Sequence, residues 1–244
     1  MRLRRWFLLL LILFAACTHA QTIKLGAEDD WYPYSGVRDG QPAGFAEDLI
    51  KEAFKAEGIE VKFYSLPYAR CMAETKVGNL LGCFDAARNS LLEPNFLWPA
   101  YPMYMARINI YALANSTESG LGPHDLEGRE VAVTNNYEYG EDFDTDKKIH
   151  RNVSNQDVQG FRMLMAGRVQ YMVAYDKVAN YLFARYKDQF SGKFKIVGQT
   201  GAPGLYLAFS RKYPDAQQFV DKFDAGIAVI RQDGRYRLIE EKWQ

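Results

Sequence analysis

Four short runs in this 244-residue chain carry the side chains best suited to chemistry. Glu28-Asp-Asp-Trp-Tyr-Pro-Tyr34 ends an apolar strand in an acidic, aromatic, proline-pinned loop. The indole of Trp31 offers a flat apolar wall and a face for a cationic group, whereas Tyr34 reads as core packing. Asp30, like Asp29, either attracts a cation or caps the loop. Arg88 follows the buried run Leu80 to Ala86, and a guanidinium there can clamp a carboxylate through two charge-assisted hydrogen bonds, each worth about 1.5–3 kcal/mol. Its alternative is a surface salt bridge. Tyr68 and Arg70 lie on a helix opened by Pro67 and, with Tyr101, complete this lining. Asn136, Tyr137, Glu138 and Tyr139 form the fourth run, a loop with stacking surface from which a helix would aim backbone N–H groups at an anion. The chemistry is recognition of a small polar molecule between loops.

Cysteine and histidine usage narrows the field. CxxC patterns are absent and His124 and His150 lack ligand spacing, so no metal or other cofactor is expected. In an oxidising compartment Cys71 and Cys83 can pair, closing a short loop for up to about 3 kcal/mol; two buried free thiols are the alternative reading.

Such loops need a frame, and the chain supplies alternating strands and helices. Ile23–Ala27 reads as a strand, and Phe45, Leu49, Ile50 and Phe54 recur at helical spacing, predicting a helix over 45–57 that Gly58 stops. Ile59–Phe63 alternates as a strand, the Pro67 helix ends at Gly78, and Arg107–Ala114 is a longer strand. The polar stretch Asn115–Gly122 then reads as a crossing out of the first lobe. Glu130–Thr134 opens a second strand-loop-helix unit, followed by a helix over 158–166, a strand over 169–174, a Tyr-rich helix over 177–186 and a strand over 194–197. Leu205–Ser210 returns to the first lobe, and helices built on Phe219, Phe223, Ile227 and Ile230 close the chain. The fold class is therefore α/β, with two α/β lobes joined by a two-strand hinge: lobe 1 at 21–110 and 204–244, lobe 2 at 111–203.

Residues 1–20 join Arg2, Arg4 and Arg5 to an apolar run and a small-residue stretch ending at Ala20, the pattern of a cleavable export signal. Acylation of Cys17 is a weaker reading, because bulky Phe14 precedes it. Removing those three arginines from 30 basic residues leaves 27 against 30 acidic ones, which offers no electrostatic footprint for nucleic acid. No later segment is apolar for long enough to span a bilayer, so the mature protein is expected to be a soluble monomer.

The chain resembles the type 2 periplasmic solute-binding proteins, in particular family 3, which serves polar amino-acid transporters. The resemblance covers the mature chain and is carried by Trp31-Tyr-Pro-Tyr34, Gly44-Phe-Ala-Glu-Asp48, Gly78-Asn-Leu-Leu-Gly-Cys83, Trp98-Pro-Ala-Tyr-Pro102, Leu126–Val133, Leu164–Val169 and Gly226 to Gly234. It implies a periplasmic protein of two lobes closing over one small polar, amino-acid-like solute, with the membrane permease of an ABC transporter as partner. Trp31 matches the ring that covers the ligand. The family's carboxylate-binding arginine would lie a few residues beyond Arg88, where this chain has Leu91-Leu-Glu93-Pro, so Arg88 or Arg70 is left to take the role. The amine-binding aspartate would end the strand Val169–Ala174; Tyr175 stands there and Asp176 follows, so Asp176 is either an amine ligand or a helix cap. A protein without enzymatic activity is expected. The alternatives are a periplasmic enzyme on the same scaffold, resembling cyclohexadienyl dehydratases and using Glu93, Glu138 or Asp176, and the ligand-binding component of a sensory system.

Overall fold

Residues 21–243 are described by the computed structural model; the predicted export signal and Cys17 lie outside the described residues. The strand Gln21–Glu28 starts with alternating exposure and becomes wholly buried from Leu25 onward, because it enters the middle of a sheet. Ile59–Leu66 pairs parallel on one side of it and Gly82–Ala87 parallel on the other. Gly204–Ser210 then pairs antiparallel with Gly82–Ala87, so strands from the two ends of the chain share one sheet.

Helices cover this sheet where the apolar spacing predicts. Phe45–Ala56 buries Phe45, Leu49, Ile50 and Phe54, and the long C-terminal helix Ala216–Gln232 lies against it with Phe223 and Phe54 rings 5.4 Å apart. The approach depends on Gly226, where a Cβ would stand 2.1 Å from the Ala53 carbonyl oxygen. Tyr68–Val77 ends at Gly78 in a left-handed cap, φ 93°. A disulfide joins Cys71 of this helix to Cys83 of the adjacent strand, with Cα atoms 5.8 Å apart and both residues fully buried. It decides between the two readings of those cysteines.

The second sheet has the order His150–Ser154, Glu130–Thr134, Tyr171–Tyr175, Ile108–Leu113, Phe194–Gly201, parallel for the first three and antiparallel for the last two. Phe161, Phe183 and Phe194 pack beneath it, with centroids 4.9 Å apart for the first pair and 5.5 Å for the second. The chain passes between the sheets around Ala106-Arg107 and Ala202-Pro203, where the Ala106 amide donates to the Pro203 carbonyl at 3.1 Å. Asn115–Gly122 is therefore not the crossing. Leu121 ties it to the second sheet through its amide on Val197 and its carbonyl accepting from Gln199.

One element replaces an expected loop. Asp30–Trp31, Ser35–Arg38 and Gln41–Pro42 form a small antiparallel sheet, turned by Asp39-Gly40 with both residues at positive φ, the two-residue geometry that suits a tight hairpin. It holds Trp31 against the first lobe. No helix among the described residues is long and apolar enough to cross a membrane.

Candidate functional site

Both sheets point the carboxyl ends of their parallel strands at the gap between the lobes, and acidic and aromatic residues stand there. Glu28 closes the first strand. Asp85 sits in Gly82–Ala87 at a φ of 67°, opposite a register shift in the partner strand between Tyr206 and Ala208; such irregularities re-aim side chains beside sites. Across the gap, the loop after Glu130–Thr134 presents Tyr137 and Glu138, and Tyr175 ends its own strand.

The lobes meet by exchanging tyrosine hydroxyls. Tyr137 donates to Glu28, and Tyr68 donates to Glu138 Oε2 at 2.8 Å, an oxygen that also accepts from the Ala87 amide at 3.3 Å. Each lobe thus gives one hydroxyl to a carboxylate of the other. Tyr175 fixes the loop by donating to the Glu138 carbonyl at 2.8 Å. Further out, Asn89 reaches Asp144 at 3.0 Å, Ser90 donates through its amide to Glu141 at 2.9 Å, and Gln156 donates to Asp30 at 2.9 Å.

Between these contacts lies a cavity of about 10 Å³, bounded by Glu28, Asp85 and Glu138 and by the rings of Trp31, Tyr68, Tyr137 and Tyr175. That is room for roughly one water molecule, so a larger solute enters only if the lobes part. The rings meet nearly at right angles: Trp31 with Tyr175 at 4.9 Å and 81°, and Tyr68 with Tyr137 at 5.5 Å and 90°. Outside it, a groove of about 390 Å³ runs between the lobes past Leu91, Asn136, Tyr139 and Arg151.

Burial dominates the electrostatics. Taking carboxylates out of water raises Glu138 to about 8 and Asp85 to about 7, and pushes Glu28 well above the carboxylate range. Asp157, which accepts from the Thr134 hydroxyl, is raised to about 7 for the same reason. Asp85 Oδ1 accepts from Tyr104, but its Oδ2 and the Trp31 Nε1–H have no partner among the described residues.

The arrangement of lobes is found in known proteins. No protein-family model matches the chain. It is 24% identical over 234 residues, covering 91% of this chain and 85% of the relative, to a probable histidine-binding protein of Campylobacter jejuni. An ancestral arginine-binding protein bound to arginine superposes with a TM-score of 0.76 at 20% identity, over 91% of this chain and 97% of that one. An arginine-, lysine-, histidine-binding protein of Geobacillus stearothermophilus gives 0.77 at 17% identity, over 91% and 95%. A histidine kinase sensor domain with similarity to periplasmic binding proteins gives 0.79 at 22% identity, over 92% and 96%. The fold is the type II periplasmic binding protein fold.

On this binding-protein fold the residues singled out by sequence divide sharply. Trp31, Tyr68 and Tyr137 come together around the small cavity. Tyr139 is buried beside it, its hydroxyl accepting from the Thr134 amide at 2.7 Å. Asn136 borders the outer groove, and Asp30 belongs to the interlobe rim. The guanidiniums do not reach the cavity. Arg88 pairs with Glu93 on the surface, 6.0 Å from the Trp98 ring centre, because it follows the last strand residue and points out where the backbone of Ala87 faces in. Arg70 is exposed on its helix, and Tyr101 is 68% exposed. Asp176 begins the helix Asp176–Arg185 and its carboxylate accepts from the Lys177 amide, while Tyr175 faces the cavity in its place.

Glu28, Asp85 and Tyr175 were absent from the expected binding set, and Glu138 was named only within its loop and as an acid of the enzyme alternative. Their signal was present: Asp85 interrupts the apolar run Leu80–Ala87, and an acid inside a wholly buried strand demands a reason.

Proposed function

We propose that this is an extracytoplasmic solute-binding protein, working in the periplasm as a monomer and delivering a small polar solute of the amino-acid type to the permease of an ABC transporter. The observation that carries the reading is the exchange of Tyr137 and Tyr68 hydroxyls for Glu28 and Glu138 across an aromatic cavity at the strand ends of both lobes. Closure of that kind makes the grip on a solute depend on the relative position of the lobes, and a permease can then select the closed form. The similarity to proteins described as binding histidine or arginine supports the solute class. The solute is held by Trp31, Tyr68, Tyr137 and Tyr175 with the three carboxylates, and it leaves unaltered.

Thermal-shift screening of the mature chain against amino acids, polyamines and small organic acids tests this. A true solute at one hundred times its Kd adds about 2.7 kcal/mol, and a Trp31-only variant changes its fluorescence on binding. A flat response across the panel would remove the proposal. The fold likeness to a sensor domain favours a second reading, in which the closed form is read by a receptor; loss of uptake of the identified solute on deleting the gene separates the two. Turnover of prephenate or arogenate would replace both with an enzyme.

A further inference from the structure

Resting on the solute-binding reading but narrowing its solute class from amino acids to their decarboxylated counterparts, we propose that the solute is a small protonated amine carrying no carboxylate. The cavity is unbalanced between acceptors and donors. Three carboxylates, Glu28, Asp85 and Glu138, border it. Asp85 is only 5% exposed, and its Oδ2 has no hydrogen-bond partner among the described residues. A buried carboxylate oxygen left without a donor is costly, and an ammonium N–H supplies one.

The resident donors are engaged. Tyr137 serves Glu28, Tyr68 serves Glu138, and Tyr175 serves the Glu138 carbonyl. The donor left over, Trp31 Nε1–H, is single and neutral and cannot hold a carboxylate as a guanidinium does. Among the described residues no basic side chain borders the cavity. Arg88 is paired with Glu93 at the surface. Arg151, in the outer groove, donates to the Phe143 and Ile149 carbonyls and lies 4.9 Å from the Phe143 ring centre. A carboxylate entering here would meet three acids and no cation.

The rings suit the same occupant. Faces set at right angles around a carboxylate stabilise a cation by cation-π attraction and exclude water from it. A point ion fits less well: among the described residues the one cluster close enough to share a metal is His124, Glu127 and Asp146, which is partly exposed and contributes no residue to the lining of this cavity. The upward-shifted carboxyls are what burial without a counter-ion produces, and an ammonium would supply that charge.

Matched pairs that differ by one carboxylate make the test: agmatine against arginine, histamine against histidine, cadaverine against lysine, titrated calorimetrically into the mature chain. The expected result is that at least one amine binds roughly ten- to a hundredfold tighter than its parent, the factor of a charge-assisted hydrogen bond no longer opposed by a buried anion. Tetramethylammonium, which has no N–H, should bind more weakly than that amine, and Asp85→Asn should lower its affinity by at least about tenfold. If the parent amino acids bind as tightly or more so, the inference falls and the solute-binding function stands. If no member of any pair binds, the inference falls, and the solute-binding reading falls with it only if the wider panel of amino acids, polyamines and organic acids is also silent. The pair ratio is read on the unaltered chain, so the test survives a poorly folding variant.

Discussion

The centre and the rim of the interlobe contact use the same bond types in opposite surroundings. At the centre, Tyr68 and Ala87 donate to a Glu138 that is 8% exposed. At the rim, Ser90 donates to Glu141, and both are exposed. Water competes for the second and not for the first, so the first is costly to break and the second nearly free. Position relative to solvent, and not the count of contacts, sets what holds the lobes together.

The contrast is tested most strongly at Glu138. Glu138→Ala strands the Tyr68 hydroxyl and the Ala87 amide and should cost about 2–4 kcal/mol in urea unfolding, while Glu138→Gln, which keeps an acceptor, should cost under about 1 kcal/mol. Equal losses would mean the hydrogen bonds matter little. Next in size is the disulfide: Cys71→Ala with Cys83→Ala should lower stability by about 3 kcal/mol for a separation of 12 residues. That loss should appear equally with and without solute, since neither sulfur borders the cavity.

Acidity gives a third test. Glu138 and Asp85 bind protons more tightly folded than unfolded, with values of about 8 and about 7 against 4.5 and 3.8. Their contribution is therefore full below about pH 4 and is lost as the pH rises through 7 to 8. Thermal melts at pH 5, 7 and 9 should show falling stability, and Glu138→Gln should flatten the slope. A melting temperature that rises across this range would contradict the burial argument. Smallest is the rim, where Ser90→Ala should change stability by no more than about 0.5–1 kcal/mol, in urea unfolding, and less still in high salt.

Much of the frame was legible in the chain, because the helices and central strands follow periodicity alone. Phe45, Leu49, Ile50 and Phe54 mark their helix within a residue of its ends. The edge strand His150–Ser154 was missed because an edge has only one neighbour and needs few apolar residues; His-Arg-Asn-Val-Ser carries almost no alternation. Trp31 and Tyr137 were found as aromatics in loops after strands, and Tyr68 in the first turn of the Pro67 helix. Arg88 misled because the end of a strand fixes where a residue starts but not which way its side chain leaves. Glu28 and Asp85 were overlooked for the converse reason: acids are usually exposed, and the one hint of burial was that Asp85 interrupts an apolar run, which the fold bears out with an exposure of 5%.

The order in which the strands are laid down has a consequence for how the polypeptide matures. The sheet running from His150–Ser154 to Phe194–Gly201 draws all its strands from one uninterrupted length of chain, whereas Gly82–Ala87 must wait for Gly204–Ser210, more than a hundred positions downstream. Contacts between distant positions form slowly. The inserted half should therefore acquire protection from hydrogen exchange first, and the half that holds Trp31 should be completed only when the last fifth of the chain arrives.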